Sequence, residues 1–408
     1  MAERGGESGE GTQAEVFDRI ARFFHQYRNE EVQIEYLPFY PVPDTHIYIE
    51  STSIGIPKSS LWKAFQHARV NFFSTLQSLS QANLAASSLT LLSTSLVLIL
   101  HDPEHITALN TRKRLLLSLF PPQAPFPQGP SRGQDMPLTP QTEYTLLTSI
   151  LTSPLHRHTK SPHLWSHRRW LLTTYPSLKY PPSTSSSSSS SSSRPSISSS
   201  SSSKLLKRWA RNEISTILRA AESHPKNYYA WTYARHLVLA NHITFNHEDL
   251  IAWCTRHPAD VSGWSFLAWL WVLERDHFFA STLLVHQGRR RQDVLPERYN
   301  QLLSVLRYSH NTSPGHESLW GFVKAVVTQG VFDGSVYNQQ ILEILQGWDG
   351  KEWPVRVADD IVRERLIIRQ FLTDLYAKIA ATGAAAAAAA TSRRRVVGED
   401  TEMTDQPP

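Results

Sequence analysis

The sequence predicts an all-α fold, a right-handed α-solenoid of about five tetratricopeptide-like helical hairpins, on three observations. A phrase centred on tryptophan recurs: Trp165, Trp231, Trp264 and Trp320 head four copies, and Leu109 takes the tryptophan's place in a fifth. Taking that position as zero, +6 and +7 are apolar in all five copies: Leu115/Leu116, Leu171/Leu172, Leu237/Val238, Leu270/Trp271 and Val326/Val327. A return after about seven residues marks one helical face, and so a buried stripe. Proline stands six residues ahead of the central position at Pro103, Pro225, Pro258 and Pro314, where it ends one helix and opens a turn. The interval from Trp231 to Trp264, 33 residues, holds two helices and two short turns.

Residues 1–15 are Gly/Glu-rich and read as disordered; 16–28 form an amphipathic stretch and 32–58 an extended one, placed to cap the array or to meet a partner. The apolar run 84–100 is interrupted by Ser87, Ser88, Thr90, Ser93, Thr94 and Ser95 and leads into the Pro103 turn. It reads as the buried first helix of repeat one rather than a membrane span. The proline-rich stretch 121–140 and the serine-rich stretch 181–203 lengthen two intervals and read as loops inserted between packed helices. Between Trp231 and Trp264 the partner helix is legible: Asn246 caps it, Glu248 and Asp249 favour its positive end, Ile251, Ala252 and Trp253 are apolar, and His257 and Pro258 end it. No segment shows sustained period-two alternation bounded by hairpin signals. The reading is one helical-repeat domain over 16–380, followed by a low-complexity disordered tail over 381–408 that includes the alanine run 384–390.

A chain of 408 residues that is 40% hydrophobic can bury a large core, and twelve tryptophans suit one. The single cysteine, Cys254, excludes a disulfide framework, and a reducing, cytoplasmic setting is expected; mid-helix, it reads as a small core residue. A net charge of +5 is mild, and the arginine runs 289–291 and 393–395 are short, so nucleic-acid binding is not expected. No signal peptide, lipidation signature or transmembrane segment is expected. His163 and His167 lie four apart on a predicted helix, a spacing that metals use, but no metal site is expected on this chain.

The copies Asn227, Tyr228, Trp231, Arg235 and Trp165, His167, Arg168, Arg169, Leu171, Leu172 resemble the repeats of protein prenyltransferase α subunits, over roughly residues 84–330. Leu109 and Ala268 depart from the pattern. The Lys-Ser-Pro-x-x-Trp-x-His-Arg-Arg-Trp form at 160–170 looks like the branch called protein prenyltransferase α-subunit repeat-containing protein. The resemblance implies an α subunit, inactive alone, of a heterodimeric geranylgeranyltransferase. Its β subunit, expected to be Rab-type, would carry the zinc and most of the lipid pocket, and this chain would bind no cofactor. Isoprenoid diphosphate and a protein substrate, a SNARE or similar trafficking protein, complete the complex. The resemblance assigns Lys160, five residues before Trp165, to the isoprenoid diphosphate, where charge gathers as the bond to carbon breaks. It places His163, Lys226, Tyr228 and Tyr229 at the substrate or active-site rim, with Pro162 and His163 standing where the family has tyrosine and glutamine. Read by residue chemistry alone, Lys160 and Lys226 are solvated lysines at helix starts; Trp165, Trp231, Trp264 and Trp320 are core; Arg168, Arg169 and Arg235 pair between hairpins. A non-catalytic helical-repeat scaffold that holds a protein on its concave face is the alternative function, and RNA binding by helical repeats a weaker one.

Overall fold

The computed structural model describes residues 7–38, 47–79, 84–122, 138–180, 199–280, 291–312, 316–332, 335–349 and scattered positions between 366 and 377. Among these residues the chain forms fourteen α-helices, one 3-10 helix and three short strands. They belong to two compact units, Met1–Ile243 and Thr244–Pro408, where the sequence suggested one domain. The all-α hairpin-repeat class is borne out. The tail 381–408 and the arginine run 393–395 lie outside the described residues, as do the inserts at 123–137 and 181–198.

In the first unit α1 (Glu7–Gln26) starts well ahead of Val16, so 7–15, part of the stretch read as disordered, is helical, while 1–6 lie outside the described residues. Its buried face is Val16, Phe17, Ile20, Phe23 and Phe24, and Gln13 Nε2 donates to Gln66 Oε1 at 3.2 Å in α2 (Lys58–Gln77), a tertiary contact that local composition does not reveal. The extended stretch carries β1 (Gln33–Leu37), β2 (Tyr48–Glu50) and β3 (Ser53–Pro57) in the order β1-β3-β2. β3 pairs parallel with β1 and antiparallel with β2. Strands of three to five residues are too short to display alternation, and the β2–β3 turn uses Ser51 at φ 51° rather than glycine. Helices α1 and α2 pack on α3 (Leu84–His101) and cover the first helix of the first hairpin. The N-terminal region therefore caps the array. Among the described residues no helix is long and apolar enough to cross a membrane.

Three hairpins follow: α3 with α4 (Ile106–Leu119); α5 (Pro140–Leu151) with α7 (Pro162–Thr174), joined through the single turn α6 (His156–Thr159); and α8 (Ser199–Ser223) with α9 (Tyr228–Asn241). Helix α8 takes in the last five serines of 181–203, so that insert ends earlier than its composition implies. The 3-10 helix Pro176–Lys179 closes the second hairpin. First helices pack on first helices, α5 on α8, and second on second, α7 on α9. In the second unit α10 (His247–Arg256) and α11 (Val261–Ala280) are followed by α12 (Arg291–Thr312), α13 (Glu317–Thr328) and α14 (Val336–Asp349). The same rule holds there, α10 on α12 and α11 on α13. Asn246 caps α10 through Glu248 N and Asp249 N, as its sequence predicts, although Ala252 is exposed. Cys254 is buried.

Every +6/+7 pair is buried, as are Leu109, Trp165, Trp231, Trp264 and Trp320. Position −4 is the helix N-cap in the copies centred on Leu109, Trp165, Trp231 and Trp320; the His105, Ser161 and Asn227 side chains accept from the first turn, and Asp260 Oδ1 does so from Gly263 N. Position −6 supplies a carbonyl to the next hairpin. Ser161 Oγ donates to Pro103 O at 3.3 Å, and Asn227 Nδ2 donates to Thr159 O at 2.9 Å. Thr159 O also accepts Trp165 Nε1 at 2.8 Å. In the second unit Pro258 O accepts Trp264 Nε1 at 3.2 Å and the Ser318 hydroxyl at 2.5 Å. Consecutive hairpins are thus stapled turn to turn.

Asn227→Ala removes a cap and a buried turn-to-turn bond together, and should cost about 2–3 kcal/mol, read as a lower melting temperature; an unchanged melt would contradict the staple. Acid should weaken the first unit. Burial holds His158 and His167 down at about 4 from 6.5, so both are neutral in the fold while the unfolded chain takes up protons. Their contribution is complete above pH 6.5 and is lost as pH falls towards about 4, by at most about 3 kcal/mol for each ring. Urea midpoints measured across that window check it, and a flat profile would contradict it.

Candidate functional site

Lys160, His163, Lys226, Tyr228 and Tyr229 lie on one edge of the first unit, where the turns before α4, α7 and α9 are bonded to one another. The staple explains why. Thr159 precedes Lys160, Asn227 follows Lys226, and the bond between Asn227 and the Thr159 carbonyl sets the two lysine-bearing turns next to each other. Both lysines occupy position −5, one residue outside the N-cap. Lys160 is the C-cap of α6 and half-buried; Lys226 is exposed at φ 62°, a left-handed conformation that lysine adopts at a cost. Tyr228 and Tyr229 open α9 at 61% and 38% exposure, their rings edge to face at 5.4 Å. These are large aromatic surfaces left in water at the start of α9.

His163 lies in the first turn of α7, half-buried, and its Nδ1 contacts the Glu104 carboxylate of the preceding turn. Glu104 occupies the −5 position of its own copy, where the next two copies have lysine. Arg157 pairs with Asp102 at 3.0 Å across the same two turns. His167 points the other way: it is fully buried, with Nε2 3.3 Å from Glu143 Oε1 but without hydrogen-bond geometry. The two histidines therefore do not share a ligand site. Among the described residues no group of three or more His, Cys, Asp or Glu side chains could hold a metal ion. Burial raises the Cys254 thiol well above its ordinary value, so it is inert as a nucleophile.

Two buried ion pairs fix the helices behind this edge. Arg112 Nε and Nη2 grip Glu143 of α5, with Nε–Oε1 at 2.9 Å; Arg168 Nη2 donates to Glu213 Oε1 of α8 at 2.8 Å. Both arginines stand at +3, so inter-repeat pairing is the right account of Arg168, while Arg169 is exposed and Arg235 half-buried. Burial would push the Glu143 carboxyl up, but the Arg112 guanidinium brings it below its ordinary value, so it stays ionised. Glu213 also accepts the Tyr233 hydroxyl at 2.6 Å and that of Tyr144. The four tryptophans are core residues, and Trp165 ends on the Thr159 carbonyl behind the edge.

The comparisons with known proteins fall on this region. A family model described as protein prenyltransferase alpha subunit repeat matches residues 143–175, nearly the whole α5–α7 hairpin with Lys160 inside it. Over those residues the chain is similar to a protein prenyltransferase alpha subunit repeat. A second model, the ECM9 middle domain, matches residues 196–286. Protein prenyltransferase alpha subunit repeat-containing protein 1 of Danio rerio is 26% identical over 245 residues, 55% of this chain and 51% of that protein. The chain thus spans about half the length of the curated relative it matches. The prenyltransferase alpha repeat and the branch resemblance read from the sequence are both supported.

Sequence reasoning missed His156 and His224, which stand on the same edge, because neither belongs to the recurring phrase. Their distance from the tryptophan, −9 and −7, was the available signal. Glu213→Ala would leave Arg168 buried and uncompensated at the contact between α7 and α8. A loss of about 3–5 kcal/mol is expected in chemical denaturation, and a loss under about 1 kcal/mol would show that the pair does not hold the hairpins.

Proposed function

We propose that this chain is the α subunit of a heterodimeric protein geranylgeranyltransferase, inactive alone, whose β subunit, of Rab type, carries the zinc and most of the lipid pocket. The observation that carries the reading is the prenyltransferase alpha repeat over 143–175, with Lys160 on an accessible turn held beside Lys226, Tyr228 and Tyr229. The zinc on the β chain would supply a cysteine thiolate of the protein substrate at neutral pH. The thiolate attacks the first isoprenoid carbon, a C–S bond forms, and the C–O bond to diphosphate breaks with its electron pair on oxygen. Lys160 bears on that departing anion. A fixed ammonium where charge develops lowers the barrier more than it lowers the energy of the bound lipid.

His163 bears on the substrate. Where the family has a glutamine for the substrate's C-terminal carboxylate, this chain has a histidine already engaged by Glu104. A carboxylate beside that position disfavours a second one, so the reading is of a trafficking protein recognised by more than a terminal tetrapeptide. The same substitution, with Pro162, favours the second reading, a non-catalytic scaffold that holds a protein without transfer.

Co-expression with candidate prenyltransferase β subunits, followed by size-exclusion chromatography and transfer of labelled geranylgeranyl diphosphate, separates the two. A stable one-to-one complex that labels a protein neither chain labels alone is expected. In that complex Lys160→Ala should lower kcat about a hundredfold with assembly intact; unchanged turnover would remove Lys160 from the mechanism. A folded chain that binds no β subunit would favour the scaffold.

A further inference from the structure

The second helices of the first unit share an outward face set by the same register as the core. With +6 and +7 buried, a helical turn of about 3.6 residues carries +1, +4, +5 and +8 to the opposite side. In α4, α7 and α9 all of these positions are exposed or half-buried. None of the three helices contains an aspartate or a glutamate. Position +4 is a cation three times running, Lys113, Arg169 and Arg235, and +5 adds Arg114 and His236. Position +8 is twice an exposed leucine, Leu117 at 41% and Leu239 at 52%.

The three faces are continuous. Lys113 Nζ of α4 lies 5.4 Å from the centre of the Trp170 ring of α7. Helix α7 packs on α9, where burial first, then the charges of Arg169 and Lys179, hold the His236 imidazole below its ordinary value. Lys179, from the 3-10 helix that closes the second hairpin, rests 5.7 Å from the centre of the Trp209 ring. Among the described residues Lys113, Arg114, Arg169 and Lys179 pair with no carboxylate. Glu143 and Glu213 of the first helices are buried in their pairs with Arg112 and Arg168, while Asp102 and Glu104 of the turn edge are engaged by Arg157 and His163.

Cations without carboxylates attract an anionic surface. The exposed leucines one helical turn beyond them leave water only when that surface is a lipid layer, because a hydrated polyanion offers them nothing apolar. Single-stranded nucleic acid is disfavoured, since it stacks its bases on open rings, and here Lys113 lies over Trp170 while Trp209 is buried.

We propose that the outward face of α4, α7 and α9 docks on an anionic phospholipid surface, with Lys113, Arg114, Arg169 and Lys179 at the headgroup phosphates and Leu117 and Leu239 in the interfacial layer. The proposal goes beyond the α-subunit reading and does not rest on it, since the docking positions +4 to +8 lie further along the helices than the turn edge.

Flotation of the full chain with lipid vesicles tests it. Vesicles of phosphatidylcholine with about one-third phosphatidylserine should carry the chain, vesicles of phosphatidylcholine alone should not, and added salt should release it. Arg114 and Arg169 are exposed, so Arg114→Gln and Arg169→Gln keep the fold. Each should weaken vesicle binding about fivefold, and the double variant about twentyfold. Leu117→Ser and Leu239→Ser together should weaken vesicle binding severalfold and leave retention on a heparin column unchanged. Equal recovery with the two kinds of vesicle, or unchanged binding in the double arginine variant, overturns the proposal. So do serine variants that float as the native chain does, a result that assigns the face to a soluble polyanion, an RNA or an acidic protein.

Discussion

The hydrogen bond from Asn227 Nδ2 to the Thr159 carbonyl is the constraint on which the candidate site depends. It joins the N-cap of one hairpin to the turn of the hairpin before it. The tryptophan indole of that earlier hairpin finishes on the same oxygen. Ser161 and Pro103 repeat the link one hairpin upstream; in the second unit Pro258 O again accepts from the next hairpin, but from Ser318 in the first turn of α13 rather than from the N-cap. A turn buried between packed helices must satisfy its carbonyl, and the recurring phrase does this at a fixed distance from its tryptophan. With −6 and −4 committed to the staple, −5 lies between them on the turn, as Glu104, Lys160 or Lys226. The buried tryptophan and the lysine-bearing turn are therefore two results of one local geometry.

Electrostatics inside the first unit follow the same register. The +3 arginines, Arg112 and Arg168, reach the first helix of the following hairpin and find Glu143 and Glu213 there. Fully desolvated pairs contribute little net stability, but breaking one partner is costly, so such pairs favour one packing over its neighbours. His158 ties the turn before α7 to the end of α3 as a neutral donor, its pKa drawn down to about 4 by burial. Charge behind the edge thus sets register, and at the edge it pairs turn to turn through Arg157–Asp102 and His163–Glu104.

Much of this was legible in the sequence, and what was not has physical causes. The tryptophans, the +6/+7 stripe and the Asn246 cap follow from periodicity and capping chemistry, which are local. The part of α1 ahead of Val16 was not legible, because Gln13 there bonds to Gln66 of α2, a partner distant in sequence. The small sheet escaped because its strands are too short to alternate, and α8 begins inside a serine tract whose composition argues for a loop. Glu143 and Glu213 could not be paired with their arginines from spacing, since an insert separates each glutamate from its partner. Lys160 and Lys226 share position −5, and aligning the copies on their tryptophans reveals them as equivalent; His156 and His224 needed the staple before they could be seen as neighbours.

Hydrogen exchange of the full chain, with and without a prenyltransferase β subunit, tests the central claim that this turn edge is where the chain works. Added protection at residues 102–106, 156–163 and 224–229, with the buried helices behind them unchanged, is the result the account predicts. A β subunit that binds and protects other surfaces while leaving those three turns as they were would contradict it.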